Sequence, residues 1–84
     1  MGNIPVPVPH IGSLLVESEK RGRSDVLYFL VLGDDGSITV WTYISDDHAG
    51  GWEGAPIQFS EFEQVHINGR SLKRLIQDKF AALP

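Results

Sequence analysis

The sequence predicts an α+β fold: an antiparallel β-meander of three to four strands with one C-terminal α-helix packed on one face. Three observations carry this expectation. Residues 26–44 hold two runs of β-branched and aromatic residues around Gly33-Asp34-Asp35-Gly36-Ser37, the pattern of a β-hairpin. A shorter, half-apolar run precedes them at residues 13–19. Near the C-terminus, Leu72, Leu75, Ile76, Phe80 and Leu83 recur at helical spacing behind Ser71, a good N-cap.

Taken in order, residues 4–9 alternate proline with Ile4, Val6 and Val8. Proline cannot donate to a sheet ladder, so residues 1–12 read as an extended arm, and residues 13–84 as one small α+β domain. The arm either lays its aliphatic side chains over an apolar face of its own domain, the preferred reading, or serves as a ligand for an aromatic groove in another protein. Residues 13–19 form the first strand. Residues 20–24 turn it back, with Gly22 supplying the positive φ such turns need.

The hairpin admits two registers. If Gly36 is left-handed after a type I turn, Gly33 faces Ser37. One face then pairs Leu32 with Ile38, Leu30 with Val40, Tyr28 with Thr42 and Val26 with Ile44. The other pairs Val31 with Thr39, Phe29 with Trp41 and Leu27 with Tyr43. A two-residue Asp35-Gly36 turn would scatter the aromatics, so the first register is preferred for its Phe29–Trp41 pair. Either register leaves both faces apolar, whereas a strand with one wet face alternates. The sequence offers one good helix, which covers one face. The other needs the arm, a second copy or a partner.

Residues 45–56 contain Gly50, Gly51, Gly54 and Pro56 and read as a loop. The meander brings this acidic loop beside the turn carrying Lys20, Arg21 and Arg23, so Asp46 or Asp47 is expected to pair with Arg21 or Arg23. Residues 57–67 stay open between a strand and a helical turn started by the capping-box pattern Ser60-Glu61-Phe62-Glu63. The C-terminal helix is expected to pack on the aliphatic face of the hairpin. If Phe80 were fully buried there, truncating it would cost about 3–5 kcal/mol.

Composition narrows the function. The chain has 84 residues, 42% hydrophobic and 21% charged, which suits one globular domain. It has no cysteine, so thiolate metal sites and disulfides are excluded and a cytoplasmic home is expected. No apolar run approaches the ~20 residues of a membrane span, and no signal-peptide pattern is read at the N-terminus. Val6 stands where an N-myristoylation signal needs Ser or Thr.

The net charge of −4 argues against tight phosphate binding, although six of the seven basic residues gather in two clusters: Lys20, Arg21 and Arg23, then Arg70, Lys73 and Arg74. His48 with Asp46, Asp47 and Glu53 has metal-like chemistry but no fixed geometry and reads as a solvated loop. Asp34-Asp35-Gly36 lacks the further ligands of a calcium loop and reads as a turn. His10, His48 and His66 accompany no nucleophile elbow, and no glycine loop that would cradle phosphate is present. The chain is therefore read as no enzyme, with no cofactor and no metal.

The expected function is a small protein-binding module or regulator. Its contact would be an apolar, aromatic sheet face with an acidic Trp-bearing loop: Phe29, Trp41, Tyr43, Asp46, Asp47 and Trp52. Trp52 is expected to fold back over the sheet as a lid. The alternatives are a nucleic-acid binder that stacks bases on the sheet aromatics and holds phosphates with Arg70, Lys73 and Arg74, or a structural homodimer buried through the spare face.

Overall fold

The computed structural model describes residues 12–46 and 50–82. The strands β1 (Gly12–Arg21), β2 (Ser24–Leu32) and β3 (Ile38–Ser45) form an antiparallel meander. The far edge of β3 carries two short strands, β4 (Gly50–Trp52) against its end and β5 (Ile57–Gln58) against its start. They act as one fourth strand interrupted at Gly54, whose φ of +64° suits glycine. A single 3₁₀ turn at Phe59–Glu61 follows. Then β6 (His66–Ile67) and β7 (Arg70–Ser71) make a separate two-stranded ladder, and α1 (Leu72–Ala81) closes the described chain.

The hairpin takes the register that stacks the aromatics, pairing Phe29 with Trp41 and Leu30 with Val40. Its turn shows why. The Gly33 N–H donates to Ser37 O at 2.8 Å, the Gly36 N–H donates to Gly33 O at 3.0 Å, and Gly36 has φ of +86°. The Asp35 carboxylate accepts the Ser37 N–H at 3.0 Å, and its hydrogen bonds with Ser37 hold its pKa below the usual carboxylate range.

Two local features depart from the sequence expectations. The segment expected to be all loop contains β4. Its glycines misled because Gly50 lies under the Tyr43 ring: a Cβ there would meet the Tyr43 hydroxyl. Glycine inside a strand can mark such a close approach rather than a loop. Residues 57–67 prove to be both alternatives in pieces, a two-residue strand, a 3₁₀ turn and half of a small hairpin. The capping box lies two residues before the Ser60 pattern, on Gln58 and Glu61: Glu61 reaches back to accept the Gln58 N–H at 2.9 Å.

One face of the sheet is the core. Val16, Val26, Tyr28, Leu30 and Val40 from the sheet meet Phe62, Ile67, Leu72 and Leu75 from the segments laid across it. The start of α1 is anchored by more than packing. Leu72 N donates to Val65 O at 2.7 Å, Lys73 N to Phe62 O at 3.1 Å, and Arg74 N to the Ser71 hydroxyl at 3.2 Å. Three of the helix's unpartnered first-turn donors are thereby satisfied. The other end of the helix runs beyond this support. Phe80 is 51% exposed, so the condition for a 3–5 kcal/mol truncation cost is not met.

A polar chain lies on the same face at the end away from the hairpin turn. The Tyr28 hydroxyl donates to Glu19 at 2.5 Å, and Arg21 lies 3.6 Å from Glu19 and donates to Glu53 at 3.2 Å. Arg21 ends β1 and Glu53 follows β4, so this bridge reaches over two intervening strands. In a flat sheet that is three spacings, about 14 Å. Two long side chains extended toward each other span that distance. Burial first, and the Glu19 carboxylate second, push the Tyr28 hydroxyl up to about 12.

The sequence placed an acidic residue against the Lys20–Arg23 turn, and one is there. Glu53, from the segment after β3, and Glu19 are carboxylates that meet Arg21 there. Asp47 and His48 lie outside the described residues, as does the proline-rich arm with Ile4, Val6, Val8 and His10. Gly12, assigned to the end of that arm, is the first residue of β1.

Candidate functional site

The face of the sheet turned away from α1 gathers the chain's largest side chains. Strand alternation sends Leu27, Phe29 and Val31 from β2 to this side, with Thr39, Trp41 and Tyr43 from β3. Trp52 joins them because it pairs directly with Tyr43 and so shares its face. It sits among three rings. Its ring centre is 5.0 Å from Tyr43, 6.0 Å from Phe29 and 6.2 Å from Trp41, with interplanar angles of 75°, 69° and 81°. All three are edge-to-face contacts, the arrangement aromatic quadrupoles favour.

Trp52 does cover the sheet, but as a residue of edge strand β4 held by backbone pairing, not as a lid on a loop. All four rings remain half-buried, and Leu15 on β1, opposite Phe29, is 41% exposed. Trp41 has its polar end satisfied, with its indole N–H donating to the Thr39 hydroxyl at 3.1 Å. What remains available on this face is mainly apolar and aromatic surface.

The acidic groups border it unevenly. Asp46 is exposed just past β3, and it lines a shallow recess with Ile44, Gly50, Gly51, Trp52 and Glu53. At the opposite end, Val31, Thr39, Trp41 and Pro56 form a cavity of about 380 Å³ beneath the Asp34-Asp35 turn. Of the sequence-chosen residues, Phe29, Trp41, Tyr43 and Trp52 thus come together on one face. Asp46 stands beside that group, and Asp47 lies outside the described residues.

The basic residues of the nucleic-acid alternative are elsewhere. Arg70, Lys73 and Arg74 stand at the start of α1, across the sheet from the aromatic rings, and each has an acidic neighbour. Arg74 donates to Asp78 at 3.0 Å, Arg70 lies 3.8 Å from the same carboxylate, and Lys73 donates to Glu63 at 2.7 Å. The last contact lowers the Glu63 pKa. His66, the one histidine among the described residues, is exposed with Nδ1 3.3 Å from Gln64 O. Among the described residues no three His, Asp or Glu side chains are grouped as metal ligands.

A second surface was not foreseen. Between the hairpin end and α1 lies an apolar groove of about 290 Å³, walled by Leu30, Leu32, Ile38, Phe59, Phe62, Ile76 and Phe80. Lys73 and Gln77 are the polar members of its lining. Phe59 is 65% exposed while its neighbour Phe62, 5.4 Å away ring to ring, is 4% exposed. The sequence signal was the Phe59/Phe62 spacing of three, which puts both rings on one side of a helical turn when only one can enter the core. The chain matches no protein-family model, no curated protein and no solved structure.

Proposed function

We propose that this chain is a small non-enzymatic protein-binding module that engages a protein partner through the aromatic face of its sheet. One observation carries the reading. Three half-buried aromatic rings, Phe29, Trp41 and Tyr43, converge on a fourth, Trp52, on the face that α1 does not cover. Trp and Tyr anchors of this kind, rigid and partly desolvated before binding, are the residues that dominate interface energetics. Asp46, exposed beside Trp52, adds negative charge to the rim of that face, and complementary charge on a partner speeds encounter more than it tightens binding. A second copy of this chain is one partner the face could take, which would make the module a homodimer. The setting we propose is the cytoplasm, where a chain without cysteine has no disulfide to lose.

The nucleic-acid reading needs stacked bases and held phosphates on one surface. Here the rings and the Arg70–Arg74 cluster stand on opposite sides of the sheet, and the net charge is −4. No helix among the described residues is long and apolar enough to cross a membrane.

The test compares the full chain with Trp52→Ser, and with Phe80→Ser as a control on the other side, each confirmed folded by circular dichroism. Size-exclusion chromatography with light scattering and two-wavelength absorbance reads self-association and nucleic acid. Capture from the source cell followed by titration of the purified partner reads affinity. The expected result is a protein contact weakened at least tenfold by Trp52→Ser and unchanged by Phe80→Ser. Co-eluting nucleic acid, or a partner indifferent to Trp52, would overturn the proposal.

A further inference from the structure

The apolar groove between the hairpin and α1 has a candidate occupant in the chain itself. β1 begins at Gly12, and Gly12 pairs directly with Leu32, which lines the groove. Residues 1–11 are therefore attached at the groove's mouth. Their sequence suits what the groove offers. Residues 4–9 read Ile-Pro-Val-Pro-Val-Pro, without a charge and with three prolines that cannot donate to a strand edge. With every second donor missing, such a segment relies mainly on its aliphatic side chains for contact. The groove presents walls that do this: Leu32 (40% exposed), Ile38 (36%), Phe59 (65%) and Phe80 (51%). Aromatic-walled apolar grooves recognise extended proline-rich chain because its conformation is already set and little entropy is lost on docking.

We propose that residues 4–8 dock in this groove within the same molecule, with Ile4, Val6 and Val8 against Phe59 and Phe80. At roughly 3.1 Å per residue those five residues extend about 12–15 Å, and residues 9–11 connect them to β1. The tether sets the effective concentration on the order of millimolar, so an interaction too weak to survive between separate molecules suffices here. This contact is independent of the aromatic sheet face. It removes the exposed Phe59 and Phe80 from the surface and leaves Trp52 and its neighbours available.

The chain has no cysteine, so an Asn3→Cys variant of the full chain carries a single nitroxide label. Isotope-labelled protein bearing that label should lose the NMR signals of Ile38, Phe59 and Phe80 and keep those of Trp41 and Trp52. The losses should disappear when Ile4, Val6 and Val8 are all changed to Ser, and when Phe59 is changed to Ser. Losses centred on the Trp52 face, or no localised loss, would overturn the proposal. A mixture of nitroxide-labelled, isotope-free protein with unlabelled isotopic protein should show none of these losses. If it does show them, the occupant is a second copy and the intramolecular contact is wrong. Failure here leaves partner binding by the sheet face intact, and the Trp52→Ser comparison reads that separately.

Discussion

The two faces of this sheet are made by the same strands and by equally apolar residues, yet they have opposite fates. Val26, Tyr28 and Leu30 on one side of β2 are between 0% and 6% exposed. Leu27 and Phe29, interleaved with them on the other side, are only half-buried. The difference lies in what crosses each face. Among the described residues, α1 and residues 57–67 are laid over the first, while Trp52 from an edge strand packs on the second, where Val31 at the hairpin end is the one side chain of β2 that is buried. Apolarity thus says that a face needs cover, and topology says which face receives it. The remainder is where a binding surface is to be sought.

That contrast can be broken experimentally. Leu72, the first residue of α1, is fully buried against the sheet, so Leu72→Ala should cost about 2–5 kcal/mol, a melting shift of 10 °C or more in a domain this small. A near-native melt would mean that the helix does not hold the covered face.

Tyr28→Phe should cost about 1–3 kcal/mol at neutral pH, because it removes a hydroxyl that donates to a carboxylate. Its pH dependence has a definite sign. The folded value is raised from 10 to about 12, so the contribution is complete below pH 10 and is lost as pH rises towards 12. Ultraviolet titration should show a late phenolate step that Tyr28→Phe abolishes.

On the open face, Trp52→Ala should cost roughly 2 kcal/mol, on the scale of a few edge-to-face contacts. Urea unfolding would read it. A loss matching Leu72→Ala would make the aromatic face a second core. Phe80→Ala should be the mildest, about 1 kcal/mol or less given its exposure, and equal loss from Phe80 and Leu72 would put the whole helix in the core.

Much of the fold was legible because its signals are local. The Gly33 to Ser37 turn sets the hairpin register, Ser71 marks the helix start, and each involves residues close in sequence. What escaped depends on contacts distant in sequence. Gly50 and Gly51 look like loop until Tyr43 is seen to lie over Gly50. Phe80 continues the helical stripe, but its burial depends on how far the sheet extends beneath the helix. The aromatic members of the candidate site could be named because strand alternation places them. The groove at Phe59 could not, since it arises where three separately coded segments fail to meet.

The irregularity in β1 has a consequence of its own. Leu14 faces Leu30 and Leu15 faces Phe29, but the next partner of β2, Tyr28, is met by Glu17, leaving Val16 as an extra residue. That extra residue resets the strand's phase. Downstream of it, Glu17 and Glu19 share the helix-covered side, where Glu17 accepts from Asn68 at 3.0 Å and Glu19 from Tyr28, while Lys20 falls opposite Asp25 at 2.9 Å. Were Val16 paired in a regular ladder opposite Tyr28, Glu19 would fall opposite Asp25 on the side of the aromatic rings and Tyr28 would lose its acceptor. Deleting Val16 would instead give a regular ladder with the same partners, so the charges would keep their sides and the core would lose one buried side chain.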